Sequence, residues 1–196
     1  MRRFSALTGL VAILFCSISP LRADDKPATG APVKPSGVTI GEMRIQTIPA
    51  MTYLCTPAET TFAKMGDPVV AAFDKIFSAA AEAKLLIARP TMLVYQGNPH
   101  FTPDNPFKME IGIIVAEDTK LPDAAEYLKV RKTEAFKCAT ILYTGPVDQQ
   151  GQAYQKLIPA LTAAGHTPTG EEREMCLYWE GPESSNNVFI MQIGIK

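Results

Sequence analysis

Met109-Glu110-Ile111-Gly112-Ile113 returns as Met191-Gln192-Ile193-Gly194-Ile195, 82 positions further along the chain. Each copy follows an aromatic strand pattern that ends in a glycine turn. The first is Leu93-Val94-Tyr95-Gln96-Gly97 and the second is Leu177-Tyr178-Trp179-Glu180-Gly181. Each of those follows a helical stretch. A period this long, repeated once, marks an internal duplication rather than a solenoid array.

The repeated strands alternate. Phe107, Met109, Ile111, Ile113 and Val115 share one face, the one a helix covers, and Lys108, Glu110, Gly112 and Ile114 share the other. On the second copy Phe189, Met191, Ile193 and Ile195 face the helix, while Ile190, Gln192 and Gly194 face away. Ahead of the first copy, Asp67-Pro68 supplies an N-cap acceptor and a proline at the first helical position. Val69, Val70, Phe73, Ile76, Phe77 and Ala80 then recur at helical period, and Arg89-Pro90 ends the run. Ahead of the second copy, Asp148 is the candidate cap. Tyr154, Leu157, Ile158, Leu161 and Ala164 form the inner stripe, Pro159 sits within it, and Gly165 stops the helix. Glu42 to Cys55 reads as a strand broken at Pro49, and Glu126 to Tyr143 as one strand. The expected order is strand-helix-strand-strand, twice, in an α+β fold, with repeat one at 38–116 and repeat two at 126–196.

Met1-Arg2-Arg3, the apolar run Ala6–Ile18 and Pro20-Leu21-Arg22-Ala23 compose a secretory signal peptide over 1–23. The run is too short and wrongly flanked for a membrane span. A lipidated Cys16 is the rival reading, disfavoured by the bulky Phe15 before it. Residues 24–37, rich in Pro, Ala, Lys and Gly, read as a flexible tether. Loss of Arg2, Arg3 and Arg22 takes the formal charge from −1 to −4. A mildly acidic chain with no basic face argues against nucleic acid. Cys55, Cys138 and Cys176 remain; as an odd set they allow one disulfide or none, and buried thiols are the favoured reading. No spacing resembles a metal site, and the expected location is periplasmic or secreted.

Ile141-Leu142-Tyr143-Thr144-Gly145-Pro146, then Ala153-Tyr154-x-x-Leu157, Ala164-Gly165-His166 and Glu174-Met175-Cys176-Leu177-Tyr178, resemble the GyrI-like small-molecule-binding family. This is the effector module found behind AraC-type and MerR-type DNA-binding domains. The resemblance covers about residues 40–196 and implies antiparallel sheets, one helix per half, a pseudo-two-fold axis and a groove between the halves for aromatic or cationic molecules. Some members resemble hydrolases of electrophilic compounds. The family's groove glutamate, placed on the final strand, falls on Gln192 here, which leaves its symmetry mate Glu110 as the carboxylate. No DNA-binding segment accompanies the domain, so a transcriptional role is not expected.

The candidate site is therefore Glu110 with Gln192, walled by Tyr53, Tyr95, Tyr143, Tyr178 and Trp179, with Gly112 and Gly194 leaving the floor open on the helix-free face. For each aromatic singly, core packing is at least as common as ligand contact. Parity puts Tyr178 with Glu174 and Cys176, and Trp179 with Met175 and Leu177, without saying which set faces the groove. Glu171-Glu172-Arg173-Glu174 reads as a solvated approach to a strand. Three functions compete: an exported binder of a small molecule without cofactor, a hydrolase using Glu110 and a groove tyrosine, and a SOUL-type haem binder. The last is weakened because His100 and His166 lie in loops with no partner motif.

Overall fold

The computed structural model describes residues 37–85, 90–120 and 127–196. The expected signal peptide and all but the last residue of the expected tether lie outside the described residues. Among the described residues, nine strands and two α-helices follow in order: β1 (Thr39–Ile40), β2 (Arg44–Ile48), β3 (Thr52–Thr60), α1 (Gly66–Glu82), β4 (Thr91–Gln96), β5 (Phe107–Ile114), β6 (Lys129–Lys132), β7 (Phe136–Thr144), α2 (Gly151–Ala163), β8 (Pro168–Tyr178) and β9 (Val188–Ile195). The fold is α+β, one antiparallel sheet in the order β1-β7-β9-β8-β4-β5-β3-β6, with β2 also paired to β7. The halves mirror each other, β7-β9-β8 against β4-β5-β3, and join where Met92 lies opposite Met175 and Leu93 opposite Glu174. The two repeats thus stand side by side in a continuous sheet, not back to back.

Each helix covers its own repeat, and both lie on the same sheet face. Ala72, Ile76, Ala79 and Ala80 of α1 pack on Leu54, Tyr95, Met109, Ile111 and Ile113. Ala153, Tyr154, Leu157 and Leu161 of α2 pack on Ala139, Ile141, Tyr143, Met191 and Ile193. The alternation read from the sequence for β5 and β9 holds residue for residue. The helix starts differ from expectation. α1 begins at Gly66, so Asp67 sits in its first turn, where a carboxylate opposes the helix dipole, rather than capping it. Asp148 lies in a separate tight turn (Val147–Gln149) ahead of α2.

The expected single strand over 126–143 is two. The break at Thr133–Ala135 carries the chain from one edge of the sheet to the other, as Pro49–Met51 does between β2 and β3. β2 pairs with β7 of the second repeat, and β6 pairs with β3 of the first. The repeats have exchanged their leading strands. Six strand spacings separate β2 from β3, and again β6 from β7, which in a flat sheet is about 29 Å. Three linking residues span at most about 14 Å. The sheet must therefore curl, with its helix-free face inward. The two linkers meet, Thr133 N–H donating to the Met51 carbonyl at 2.8 Å and Met51 N–H to Thr133 Oγ1 at 2.9 Å.

Inside the curl, Tyr53, Cys55, Met92, Val94 and Met175 are buried with Ile114 and Ile190 against them. The glycines expected to open a ligand floor serve this packing instead. A Cβ on Gly112 would lie 2.7 Å from the Leu54 carbonyl and 2.9 Å from the Tyr53 ring, and one on Gly194 would lie 2.7 Å from the Phe136 ring. Neighbouring side chains fill the space those residues leave.

Candidate functional site

The large groove lies on the helix-bearing face, between α1 and α2. Its floor is the seam of β4 and β8, where Leu93 and Tyr95 present the same face as Glu174 and Cys176. Phe73 and Phe77 of α1 and Tyr154 and Ile158 of α2 stand on either side. The groove is about 1440 Å³ and mostly apolar. Helices that each pack on the middle of their own repeat leave the seam strands uncovered, so the opening follows from the duplication.

At its floor is a buried polar centre. Glu174 is 8% exposed and accepts a hydrogen bond from the Tyr95 hydroxyl at 3.5 Å. Burial pushes its carboxyl above the ordinary 4.5, and the facing His100 and the Tyr95 hydrogen bond hold part of that rise back. Glu172, fully buried, pairs through one oxygen with His100 Nδ1, and its other oxygen has no partner among the described residues. The His100 ring stacks on Tyr154 with centroids 3.4 Å apart and planes 8° from parallel, and its edge meets Tyr95 at 5.5 Å. Burial raises both the Tyr95 and Tyr154 phenols well above their usual range, so both are hydroxyls at neutral pH. Carboxylates beneath aromatic faces in an apolar channel suit a flat or positively charged guest.

The structure divides the sequence candidates between two faces. Tyr95, Tyr178 and Trp179 line the groove. Tyr178 and Trp179 both reach it because a bulge between Cys176 and Tyr178 breaks the strict alternation. Tyr143 is buried beneath α2, with its hydroxyl donating to the Pro146 carbonyl at 2.6 Å. Glu110 and Tyr53 lie on the helix-free face; the Tyr53 hydroxyl and the Arg131 guanidinium both bond the Glu110 carboxylate. Gln192 is wholly buried there, its amide donating to Met175 Sδ at 3.4 Å. On that face Glu110 and Tyr53 line a cleft, whereas Gln192 is buried outside its lining and Tyr95, Tyr178 and Trp179 stand on the other face.

Glu174, Glu172, Tyr154 and His100 were missed as site residues. The run Glu171–Glu174 does not approach the strand through solvent: Glu172, Arg173 and Glu174 are all buried. The signal was present in the shared parity of Glu174, Cys176 and Tyr178, but parity does not say which face is helix-covered. Cys55 and Cys138 are buried on β3 and β7, with four strands between them, and burial raises their thiols to about 12 and about 11. Both are thus protonated packing groups, not nucleophiles.

A duplicated antiparallel sheet with one helix per repeat and an acid-floored groove between the helices defines a small-molecule-binding domain. The chain belongs to the GyrI-like small molecule binding domain family, which matches residues 41–196. No curated protein matches the sequence. Among solved structures, the EcmrR C-terminal domain is 15% identical over 80% of this chain and 98% of its own, with a TM-score of 0.61. In the EcmrR–DNA complex the chain spans 57% of the length of EcmrR. SAV2435 bound to tetraphenylphosphonium is 12% identical over 79% of this chain and 94% of that one, TM-score 0.52. A hydrolase from Listeria innocua is 10% identical over 79% and 92%, TM-score 0.55. At these identities the likeness is one of fold.

Proposed function

We propose that this chain is an exported protein that binds a hydrophobic, aromatic or cationic small molecule in the groove between α1 and α2, with Tyr95, Tyr178 and Trp179 as aromatic walls. The observation that carries this reading is Glu174, a buried carboxyl set at the floor of an otherwise apolar channel. A carboxylate buried there is costly, as its raised pKa reflects, and a lipophilic cation relieves that cost. A neighbour's complex with tetraphenylphosphonium supports the choice of probe. Trp179 is the single tryptophan of the chain and lines the groove, so its fluorescence reports occupancy. Titration with tetraphenylphosphonium is expected to quench it saturably, and Glu174→Gln to weaken binding about tenfold, the scale of one desolvated charge contact. No saturable response, or equal affinity in the variant, contradicts the reading.

Hydrolysis of an electrophilic guest is the second reading. The pairing of Glu174 with Tyr95 favours it, because a carboxyl with a raised pKa beside a bound ligand is suited to proton transfer. Glu110, committed to Arg131 and Tyr53 on the opposite face, is a weaker base for the groove than the sequence suggested. Turnover of an electrophilic ester to its acid and alcohol that Glu174→Gln abolishes would favour this reading over binding alone. Export is supported by the signal-like N-terminus, and a mature N-terminus at Asp24 is its test.

A further inference from the structure

We propose that the helix-free face holds a second binding site, separate from the groove, which takes a small molecule bearing an oxyanion, carboxylate or phosphate, on the guanidinium of Arg173. A cleft of about 930 Å³ is lined there by β3, β5, β8 and the Thr133–Ala135 linker. The Arg173 side chain, 3% exposed, lines it. Its Nε and Nη2 both donate to one oxygen of Glu171, at 2.7 and 2.6 Å, and Nη1 has no partner among the described residues. The Phe136 ring lies 3.9 Å from the guanidinium carbon and fixes its plane. Opposite Arg173 in the ladder, Gln192 Oε1 is also unpartnered.

Buried donors are almost always satisfied, so the orphan Nη1 of Arg173 requires a partner. A lone water is the simplest. Three features favour an anion. The guanidinium is charged and held flat against an aromatic ring, which prepares its fork for a planar or tetrahedral oxyanion. The cleft is far larger than one water needs. Glu171, half-exposed, already places a carboxylate oxygen on that fork and so stands in for the ligand. Of the other cations lining the cleft, Arg131 is paired with Glu110 and Lys132 with Glu117, and Lys108 is exposed to solvent whereas Arg173 is buried.

The test is titration of the full chain with sodium benzoate and, separately, inorganic phosphate, following the Arg173 side-chain N–H resonance by NMR. A saturable shift is expected with at least one of them. Glu171→Gln, which removes the competing carboxylate, is expected to tighten binding several-fold, and Arg173→Gln to abolish it. Benzoate alone would identify an aromatic carboxylate as the guest; phosphate alone would identify a free inorganic oxyanion. No saturable shift with either probe overturns the proposal, and so does unchanged affinity in Glu171→Gln. The Glu171 variant decides the matter if Arg173→Gln does not fold.

Discussion

Glu174 carries opposing demands. Its folded pKa is raised, so between about 4.5, its ordinary value, and the folded pKa the native state holds a proton that the unfolded chain has lost. Stability from this group is therefore full below the ordinary value and falls as pH rises through the folded one. Glu174→Gln removes that loss. Thermal unfolding of the variant should show a higher Tm at pH 7 and an unchanged one at pH 4, while cation binding weakens; a lower Tm at pH 7 would mean the carboxylate is held by contacts that outweigh its burial. At this scale the sequence was a partial guide. Tyr95, Tyr178 and Trp179 stood among the aromatic candidates and line a cavity, though on the face opposite to the one expected, and Cys55 and Cys138 were legible as packing thiols. Glu110 was preferred over Glu174 because it stood out on a well-patterned strand. Glu174 sat in a charged run whose composition resembles a surface, and only the packing of two distant helices shows which carboxylate lies beneath the groove.

The two helices end alike, with unequal chemistry. Gly165, at φ 75°, closes α2, and His166 N–H reaches back to the Leu161 carbonyl at 3.2 Å. Lys84, at φ 52°, does the same for α1, with Leu85 N–H to the Ala80 carbonyl at 2.9 Å. A left-handed position costs a side-chain-bearing residue about 1 kcal/mol relative to glycine. Lys84→Gly should accordingly stabilise the protein by about 0.5–1 kcal/mol in urea denaturation; destabilisation would show that the Lys84 side chain makes contacts outweighing its strain. Most of each helix stripe, the Gly165 stop and the alternation of β5 and β9 were readable, because each is set by local periodicity or one residue's φ; Val70, Phe77 and Ala164, expected in the stripes, are exposed. The breaks at Pro49 and Thr133 were read as an irregularity and as nothing. No local pattern tells a strand to cross to the far edge of a sheet; that depends on pairing with residues of the other repeat.

The exchange of β2 and β6 ties the two repeats into one sheet, and the groove lies over the seam between them. Its closure point is the Met51–Thr133 contact. Thr133→Val keeps the shape and removes the hydroxyl acceptor of the Met51 N–H. It should cost about 1 kcal/mol, the usual net worth of such a bond, in a single cooperative unfolding transition. Two separate transitions would show that the repeats fold independently. The duplication itself, from which the seam and its groove follow, was the most legible feature of the sequence; which face of the sheet became the groove was the least. The direct test of the site is a crystal structure with tetraphenylphosphonium. The cation is predicted between α1 and α2, above Glu174 and against Tyr95 and Trp179. Electron density for it on the helix-free face, or none in the groove at a concentration that quenches Trp179, would contradict the account.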